Sequence, residues 1–534
     1  MKHPTACLEC RVTKVKCARD PNQPRGACLT CKSRNLECSL PTLNPKERAT
    51  ILRSHPQPRP LAPASSVPLE HENLASELPE NIQEFIGLYL SLIHGRPHSL
   101  FHEQSLWLQY NEGSLPESLS TAICGLGCRL SERESDRNLA PAFIRKSKTL
   151  LAHQLEDITV TNIQTCILLA NSYAAEQNHK LEALYFGIAN RMAYVLELHK
   201  QHPDDDPIWR EIKCRTWWSL FMADRWCPPG LGLPKEISVS HPSVELPMNE
   251  LDFQLLRNTG VPSSTARRGG IWAFKITLVD ILASIQDMNL SLVQEHLDRS
   301  TVDNQVQCIA RRMEHWQGTL PDDLRLSEHN LNLHRHRGYG GMFVALHLGY
   351  HYYNILLYFQ YLEPNYDPAY NTISYAAECR QHGLAFSRLL HTARELGDCH
   401  VVYLTVAHMT IVSSSVLLHL LLFGNDAEVD IAKQQLTRNF EALMDLAKYW
   451  PCVEKMKRRL FVFQDACLRS SIATYKVDRW IVRFLLEHAL PFENEGPSSE
   501  GLAVDMSTMS MSHSRIPLGR QILLNETLDD LRSF

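Results

Sequence analysis

Six of the sixteen cysteines fall within the first forty residues, and their spacing repeats: Cys7-x2-Cys10-x6-Cys17, then ten residues, then Cys28-x2-Cys31-x6-Cys38. Thiolates separated by two residues close on one tetrahedral zinc, because a tight turn carries both sulfurs to the same ion at about 2.3 Å. Three thiolates per copy leave each zinc one ligand short. If one sulfur from each copy is shared between two metals, six cysteines fill all the tetrahedral positions. Two Zn2+ and six thiolates then carry a charge of about −2, which favours cationic neighbours. Arg11, Lys14, Lys16, Arg19, Arg25, Lys32 and Arg34 supply them. A single-zinc ribbon on Cys7, Cys10, Cys28 and Cys31 also meets the spacing rules, but it would strand Cys17 and Cys38. The opening MKHPTACLEC has no apolar stretch of a secretory leader, so a reducing compartment and free thiols are expected rather than disulfides.

The segment ACLECRVTKVKCARDPNQPRGACLTCKSRNLECSL, residues 6 to 40, resembles the binuclear zinc cluster of fungal transcription regulators. The resemblance implies two zinc ions per chain, bridged by Cys7 and Cys28. Cys10 and Cys17 would complete one site, and Cys31 and Cys38 the other. It also implies double-stranded DNA with a CGG-like triplet as partner, and the nucleus as location. The family's basic pair, three and four residues after the second cysteine, is represented by Thr13 and Lys14. Lys14 is therefore the expected base reader, on a helix over about residues 8 to 17, with Arg11, Lys16, Lys32 and Arg34 on phosphates. The proline usual two residues before the fourth cysteine is replaced by Gly26, with Pro21 and Pro24 earlier in the loop.

Charge is distributed unevenly. The first sixty residues hold twelve Lys and Arg against four Asp and Glu, a balance of +8; the remainder, 42 against 55, carries −13. A polyanion is thus expected to meet the N-terminal end, with salt-dependent affinity. Residues 41–77 contain Pro45, Pro56, Pro58, Pro60, Pro63 and Pro68 and few large apolar side chains, the composition of a flexible linker. Proline in a helix interior costs about 3 kcal/mol, so no coiled coil is expected there. A homodimer would have to form through the body.

From about Leu78 to Pro491 apolar residues recur at three and four spacing, as in HKLEALYFGIANRMAYVLELHK and GGMFVALHLGYHYYNILLYFQYL. This rhythm predicts an all-helical body, in which helical hairpins could stack in a solenoid-like way. Residues 181–200 and 213–237 resemble the middle regulatory region of the same fungal regulators, through Arg191, Met192, Ala193, His199, Arg215, Trp217, Trp218, Asp224, Arg225, Gly232 and Pro234. Glu197 stands where that family has glycine, and Cys227-Pro228-Pro229 interrupts the pattern. The tryptophan pair is expected first to pack, with one indole in the core and one lining a groove. Asp224 and Arg225, as neighbours on one helix, are expected to pair with other elements rather than with each other.

Other candidate chemistry is weaker. His347 and His351 have metal-ligand spacing but no third ligand, and are expected to be core histidines. Cys124 and Cys128 are expected to be small buried hydrophobes. Residues 401–424 lack any Asp, Glu, Lys or Arg and are long enough for a membrane span, yet His408, three serines and His419 favour a buried central helix. No nucleophile elbow, P-loop or strand-borne dinucleotide motif is present, and no enzyme is expected. In the tail, Leu524, Leu528 and Leu531 alternate with Glu526, Asp529 and Asp530, a pattern suited to an acidic amphipathic helix that meets a coactivator or docks on the body.

The sequence thus predicts a mostly α protein: a two-zinc DNA-binding module (1–40), a proline-rich linker (41–77), an all-helical regulatory domain (78–491) and a flexible tail (492–534). The function implied by the resemblance is zinc-dependent control of RNA polymerase II transcription, at metabolic or secondary-metabolite gene clusters, with no membrane partner. The alternative is a zinc-ribbon interaction module on a helical scaffold, or a ligand-sensing protein without sequence-specific DNA readout.

Overall fold

The computed structural model describes residues 7, 10, 16–18, 27–34, 38, 81–237, 244–256, 269–294, 299–363, 372–469, 475, 478–488, 519, 520, 522 and 526. The chain divides into two compact units, Met1–Glu77 and Leu78–Phe534. In the first, the described regular element is one short helix, α1 (Leu29–Ser33).

The second unit is helical. Its elements are α2 (Ile82–Leu92), α3 (Glu103–Asn111), α4 (Glu117–Gly127), α5 (Glu134–Arg137), α6 (Ala140–His153), α7 (Val160–Ala175), α8 (His179–Val195), α9 (Pro207–Leu231) and α10 (Glu250–Leu255). There follow α11 (Ile271–Gln294), α12 (Arg299–Thr319), α13 (Glu328–His336), α14 (Gly340–Tyr358), α15 (Thr372–Glu395), α16 (Thr405–Phe423), α17 (Asp426–Tyr449), α18 (Val453–Arg469) and α19 (Arg479–Leu486). Among the described residues there is no strand, only isolated bridges at His94–His98 and Met248–Gly269.

Two helices form the centre of this unit. Every residue of α14 is buried, so its sequence rhythm does not mark one apolar face; it is apolar all round because α11, α12, α13, α15 and α16 surround it. α16 is likewise enclosed, by α14, α15, α17 and α18, with 94% of its most apolar window buried. Its polar groups find partners inside the protein: His408 Nε2 lies 3.0 Å from Leu485 O, His419 Nε2 3.0 Å from Leu362 O, and Ser414 accepts from Asn439 at 3.0 Å. α11 is the other described helix long and apolar enough to cross a membrane. Helices remote in sequence, such as α11 and α19, pack together, unlike a solenoid whose repeats touch only their neighbours.

The glycines of the Cys124–Gly127 segment serve packing. A Cβ on Gly127 would collide with the carbonyl oxygen of Phe85, so only glycine lets α2 and α4 cross this closely. Cys124 and Cys128 are buried thiols. His347 Nε2 sits 3.0 Å from Leu324 O and His351 Nδ1 2.9 Å from His382 Nδ1, as expected of core histidines.

The α8–α9 region holds the residues of the second resemblance. α9 begins at Asp206, whose carboxylate accepts from the amides of Ile208 and Trp209, with Pro207 at the first helical position. It runs through Pro228 and Pro229 instead of stopping before them. Pro229 cannot donate to the carbonyl of Arg225, and that carbonyl accepts from Gln286 Nε2 at 2.9 Å. Gly232, at φ 67°, closes the helix in the left-handed conformation. Glu197 adopts φ 54° just after α8, where the Leu198 amide donates back to Ala193 O at 2.9 Å. This left-handed C-cap explains why glycine suits the position.

Trp217 and Trp218 are both buried, which corrects the expectation that one lines a groove. Trp217 packs edge-on against Tyr194 at 5.4 Å, and Trp218 donates its Nε1 hydrogen to Glu245 O at 2.9 Å. Asp224 and Arg225 also depart from expectation, since they do pair, at 2.6 Å. Both side chains reach one extended segment: Asp224 accepts from the amides of Glu236 and Ile237, and Arg225 donates to Ile237 O, which brings carboxylate and guanidinium together.

Arg215 is the most heavily tied of these residues. Its guanidinium donates to Glu211 at 2.8 Å, to Ser99 Oγ at 2.9 Å and to Met248 O at 2.7 Å, and lies 4.4 Å from the Phe253 ring centroid. Both members of the Arg215–Glu211 pair are almost completely buried. Glu211→Ala leaves this guanidinium without its carboxylate and is expected to destabilise the body by about 3–5 kcal/mol, read as a fall in the urea midpoint. Glu197→Gly relieves the left-handed strain and is expected to raise that midpoint.

Candidate metal centre

In the first unit the cysteines converge, and among the described residues they themselves form the buried cluster. The sulfurs of Cys7, Cys10, Cys28 and Cys31 lie within 4.8 Å of one another, and all four residues are buried. Individual sulfur–sulfur separations are 3.8 Å for Cys7–Cys28, 3.6 Å for Cys7–Cys31, 3.7 Å for Cys10–Cys28 and 4.0 Å for Cys10–Cys31. Ligands at about 2.3 Å from a tetrahedral centre stand about 3.8 Å apart, so these sulfurs fit the coordination shell of zinc. Cys17 joins them, its sulfur 3.8 Å from that of Cys7.

The two copies of the motif fold alike. In the first, the Cys7 amide donates to Cys17 sulfur at 3.4 Å and the Cys10 amide to Cys7 sulfur at 3.4 Å. In the second, the Cys28 amide donates to Cys38 sulfur at 3.3 Å and the Cys31 amide to Cys28 sulfur at 3.3 Å. The x2 spacing makes the first cysteine of each copy a cap; Cys28 is the N-cap of α1. The copies are joined by Thr30, whose hydroxyl donates to Lys16 O at 2.8 Å and accepts from the Ala18 amide at 3.3 Å. The Leu29 amide adds a bond to Ala18 O at 2.9 Å.

Thiol acidity is uneven. Burial raises Cys7 and Cys10 above the usual thiol range and holds Cys31 up at about 12. Burial also opposes charge on Cys28, but hydrogen bonds from the Cys31 amide and from neighbouring thiols outweigh it and lower Cys28 to about 6.

Of the expected DNA contacts, Lys16, Lys32 and Arg34 are described, and all three are exposed. Lys32 lies in the last turn of α1 and Arg34 is its C-cap. Cys10 is helical but Lys16 and Cys17 are not, so the helix expected over residues 8–17 does not include its last two positions. Arg11 and Lys14 lie outside the described residues.

Residues 5–47 match the model of the fungal Zn(2)-Cys(6) binuclear cluster domain, and residues 86–318 that of the fungal specific transcription factor domain. The chain belongs to the fungal binuclear zinc cluster transcription factors. It is similar to the "Zn(2)-C6 fungal-type transcription factor FTF1c" of Fusarium oxysporum f. sp. lycopersici, at 24% identity over 72% of this chain and 45% of the relative. Similarity extends to the "Uncharacterized transcriptional regulatory protein C1327.01c" of Schizosaccharomyces pombe, at 21% over 62% of this chain and 38% of that protein. A second fission yeast regulator, "C1683.13c", is 24% identical over 65% of this chain and 58% of its own length. The chain spans about half or less of the length of the first two. No solved structure matches it. The regulatory-domain match ends at residue 318, whereas the helical body continues through α13–α19.

Membership of the zinc cluster family agrees with the sulfur geometry, which has the donor type, spacing and burial that zinc requires. When bound, the metal supplies the folding energy that so small a unit cannot obtain from apolar burial. Because Cys7, Cys10 and Cys31 are held protonated, loading metal-free protein with zinc at pH 7 is expected to release protons, and zinc affinity to fall on acidification. Titration in weakly buffered indicator solution measures the former; a zinc-release assay between pH 7 and 5 measures the latter.

Proposed function

We propose that this chain is a nuclear, sequence-specific DNA-binding regulator of RNA polymerase II transcription that uses two zinc ions bridged by Cys7 and Cys28. The observation that carries the reading is the internal duplication: the same amide-to-sulfur bonds recur in both copies, so each copy offers an equivalent half-site. Cys7 sulfur is within 3.8 Å of those of Cys17, Cys28 and Cys31, as a shared ligand must be. Cys10 and Cys17 complete one site, Cys31 and Cys38 the other.

DNA recognition follows from where the charges stand. Lys16, Lys32 and Arg34, exposed and next in sequence or close to the cysteines, hold backbone phosphates, together with Arg11. Lys14 donates to O6 and N7 of guanine in a CGG-like triplet. The acidic body contributes regulation rather than affinity for DNA, and the chain acts as no enzyme. Domain limits are read as 1–40, 41–77, 78–491 and 492–534. Its targets are read as a metabolic or secondary-metabolite gene cluster.

Two partner assignments are added. A homodimer would form through the body. The acidic tail would meet a coactivator; Leu524, Leu528 and Leu531 lie outside the described residues, while Arg520 of the same tail pairs with Asp426 at the start of α17, 2.7 Å away.

A second reading draws on the same four-sulfur group, since Cys7, Cys10, Cys28 and Cys31 are also the ligand set of a one-zinc ribbon. Metal analysis of the purified protein separates the two: two zinc per chain supports the cluster, one the ribbon. Lys14→Ala is expected to reduce discrimination between a CGG-containing duplex and a scrambled one by about 1–3 kcal/mol without unfolding the protein, measured by competition binding at fixed salt. Equal wild-type affinity for both duplexes would refute base readout. Genome-wide mapping of bound sites tests the assignment to gene clusters.

A further inference from the structure

The helical body holds a largely apolar cavity of about 120 Å3, bordered by residues of α4, α7, α8, α9, α11, α14, α16 and α18. It is flanked by Trp226 and not by the Trp217–Trp218 pair. Apolar surfaces such as those of Ile167, Phe186, Met222, Trp226, Tyr353 and Met409 make most of the wall. A dry cavity of about 150 Å3 takes up benzene, so the scale is that of one small ring.

One wall residue does not suit an apolar void. Lys275, on α11, is 8% exposed and lines the cavity. Its ammonium donates to Arg96 O at 2.5 Å and lies 5.3 Å from the Tyr403 ring centroid and 5.7 Å from that of Trp272. Among the described residues it has no carboxylate partner. Arg96 beside it is a second buried cation without one, so local repulsion adds to the loss of hydration. Burial, with the neighbouring Arg96 charge adding to it, lowers the Lys275 ammonium to about 7, so at neutral pH it holds its proton only in part, and a bound anion would favour the charged form.

The other ionisable groups on the wall do not compensate Lys275. Glu182, the carboxylate among the lining residues, is paired with His179 at 2.9 Å. Burial keeps the imidazoles of His98, His408 and His488 below their usual range, so they are uncharged at neutral pH. His98 has a further property. Its Nε2 is 2.9 Å from the Tyr89 hydroxyl, while its buried Nδ1 has no hydrogen-bond partner among the described residues. With the Tyr89 hydroxyl donating to Nε2, Nδ1 carries a hydrogen that needs an acceptor.

We propose that this cavity binds a small organic monocarboxylate, its carboxylate held by Lys275 and His98 and its apolar part, about the size of one aromatic ring, seated among the aromatic and aliphatic wall. A monoanion neutralises the ammonium and accepts from the free imidazole N–H, and the ring removes apolar surface from water. Binding in the body is independent of how the N-terminal unit contacts DNA, so this proposal stands or falls apart from the DNA-binding reading.

The test uses the full chain at pH 7, with benzoate as probe and benzamide as its neutral isostere. Benzoate is expected to raise the melting temperature saturably, and benzamide to do so far less. Lys275→Met, which replaces an uncompensated charge by an apolar chain of similar length, is expected to keep the helical circular dichroism, to melt higher without ligand, and to bind benzoate about thirtyfold more weakly or worse. Lys275→Gln serves if the methionine variant fails to fold. Absence of a saturable benzoate effect, equal binding of benzamide, or unchanged affinity in the folded Lys275 variant would each overturn the assignment.

Discussion

Sulfur geometry is the constraint from which the N-terminal unit takes its form. A stretch of about forty residues buries too little apolar surface to offset its chain entropy, and such units depend on metals or disulfides. Among the described residues of the unit the buried ones are cysteines, packed against one another where a larger domain would pack leucine and valine. The separations of 3.6–4.0 Å among Cys7, Cys10, Cys28 and Cys31 are contacts that neutral thiols tolerate and that thiolates tolerate only around a cation. Short amide-to-sulfur bonds then fix each turn, so the placement of Lys16, Lys32 and Arg34 on the surface is a consequence of where the sulfurs must be.

The helical body solves the opposite problem: it has ample apolar surface and must specify a single packing. Buried polar groups do much of that. Arg215 joins α9 to the segments around Ser99 and Met248, Asp224 and Arg225 fasten the 236–237 segment, and Gln286 closes the carbonyl that Pro229 leaves open. Each link has a defined geometry that apolar contact alone would not impose. Lys275 differs from these links in lining a largely apolar cavity with no carboxylate partner among the described residues.

Several sequence features were legible because they are local. Helical rhythm and the paired C-x2-C spacing depend on a few neighbouring residues. Others were misread for want of neighbours. The proline pair in α9 looked like an interruption until Gln286, some sixty residues on, supplied the missing hydrogen bond. Asp224 and Arg225 were expected apart because an isolated helix separates adjacent side chains, yet a third segment draws both to one place. The apolar stretch of α16, long enough for a bilayer, is the buried central helix expected from its histidines and serines; His408 and His419 find their partners in Leu485 O and Leu362 O, far along the chain.

By itself the sequence determined the metal-binding chemistry, because identity and spacing of thiols set which ion and which turn are available. It also determined the helical class of the body, because apolar periodicity is written along a single strand of text. Tertiary structure alone decided which tryptophans are buried, which carboxylate answers which cation, and that Lys275 and His98 face one cavity. Those outcomes rest on contacts between residues tens to hundreds of positions apart, and whether a charge is compensated is a property of the packed neighbourhood, not of the residue that carries it.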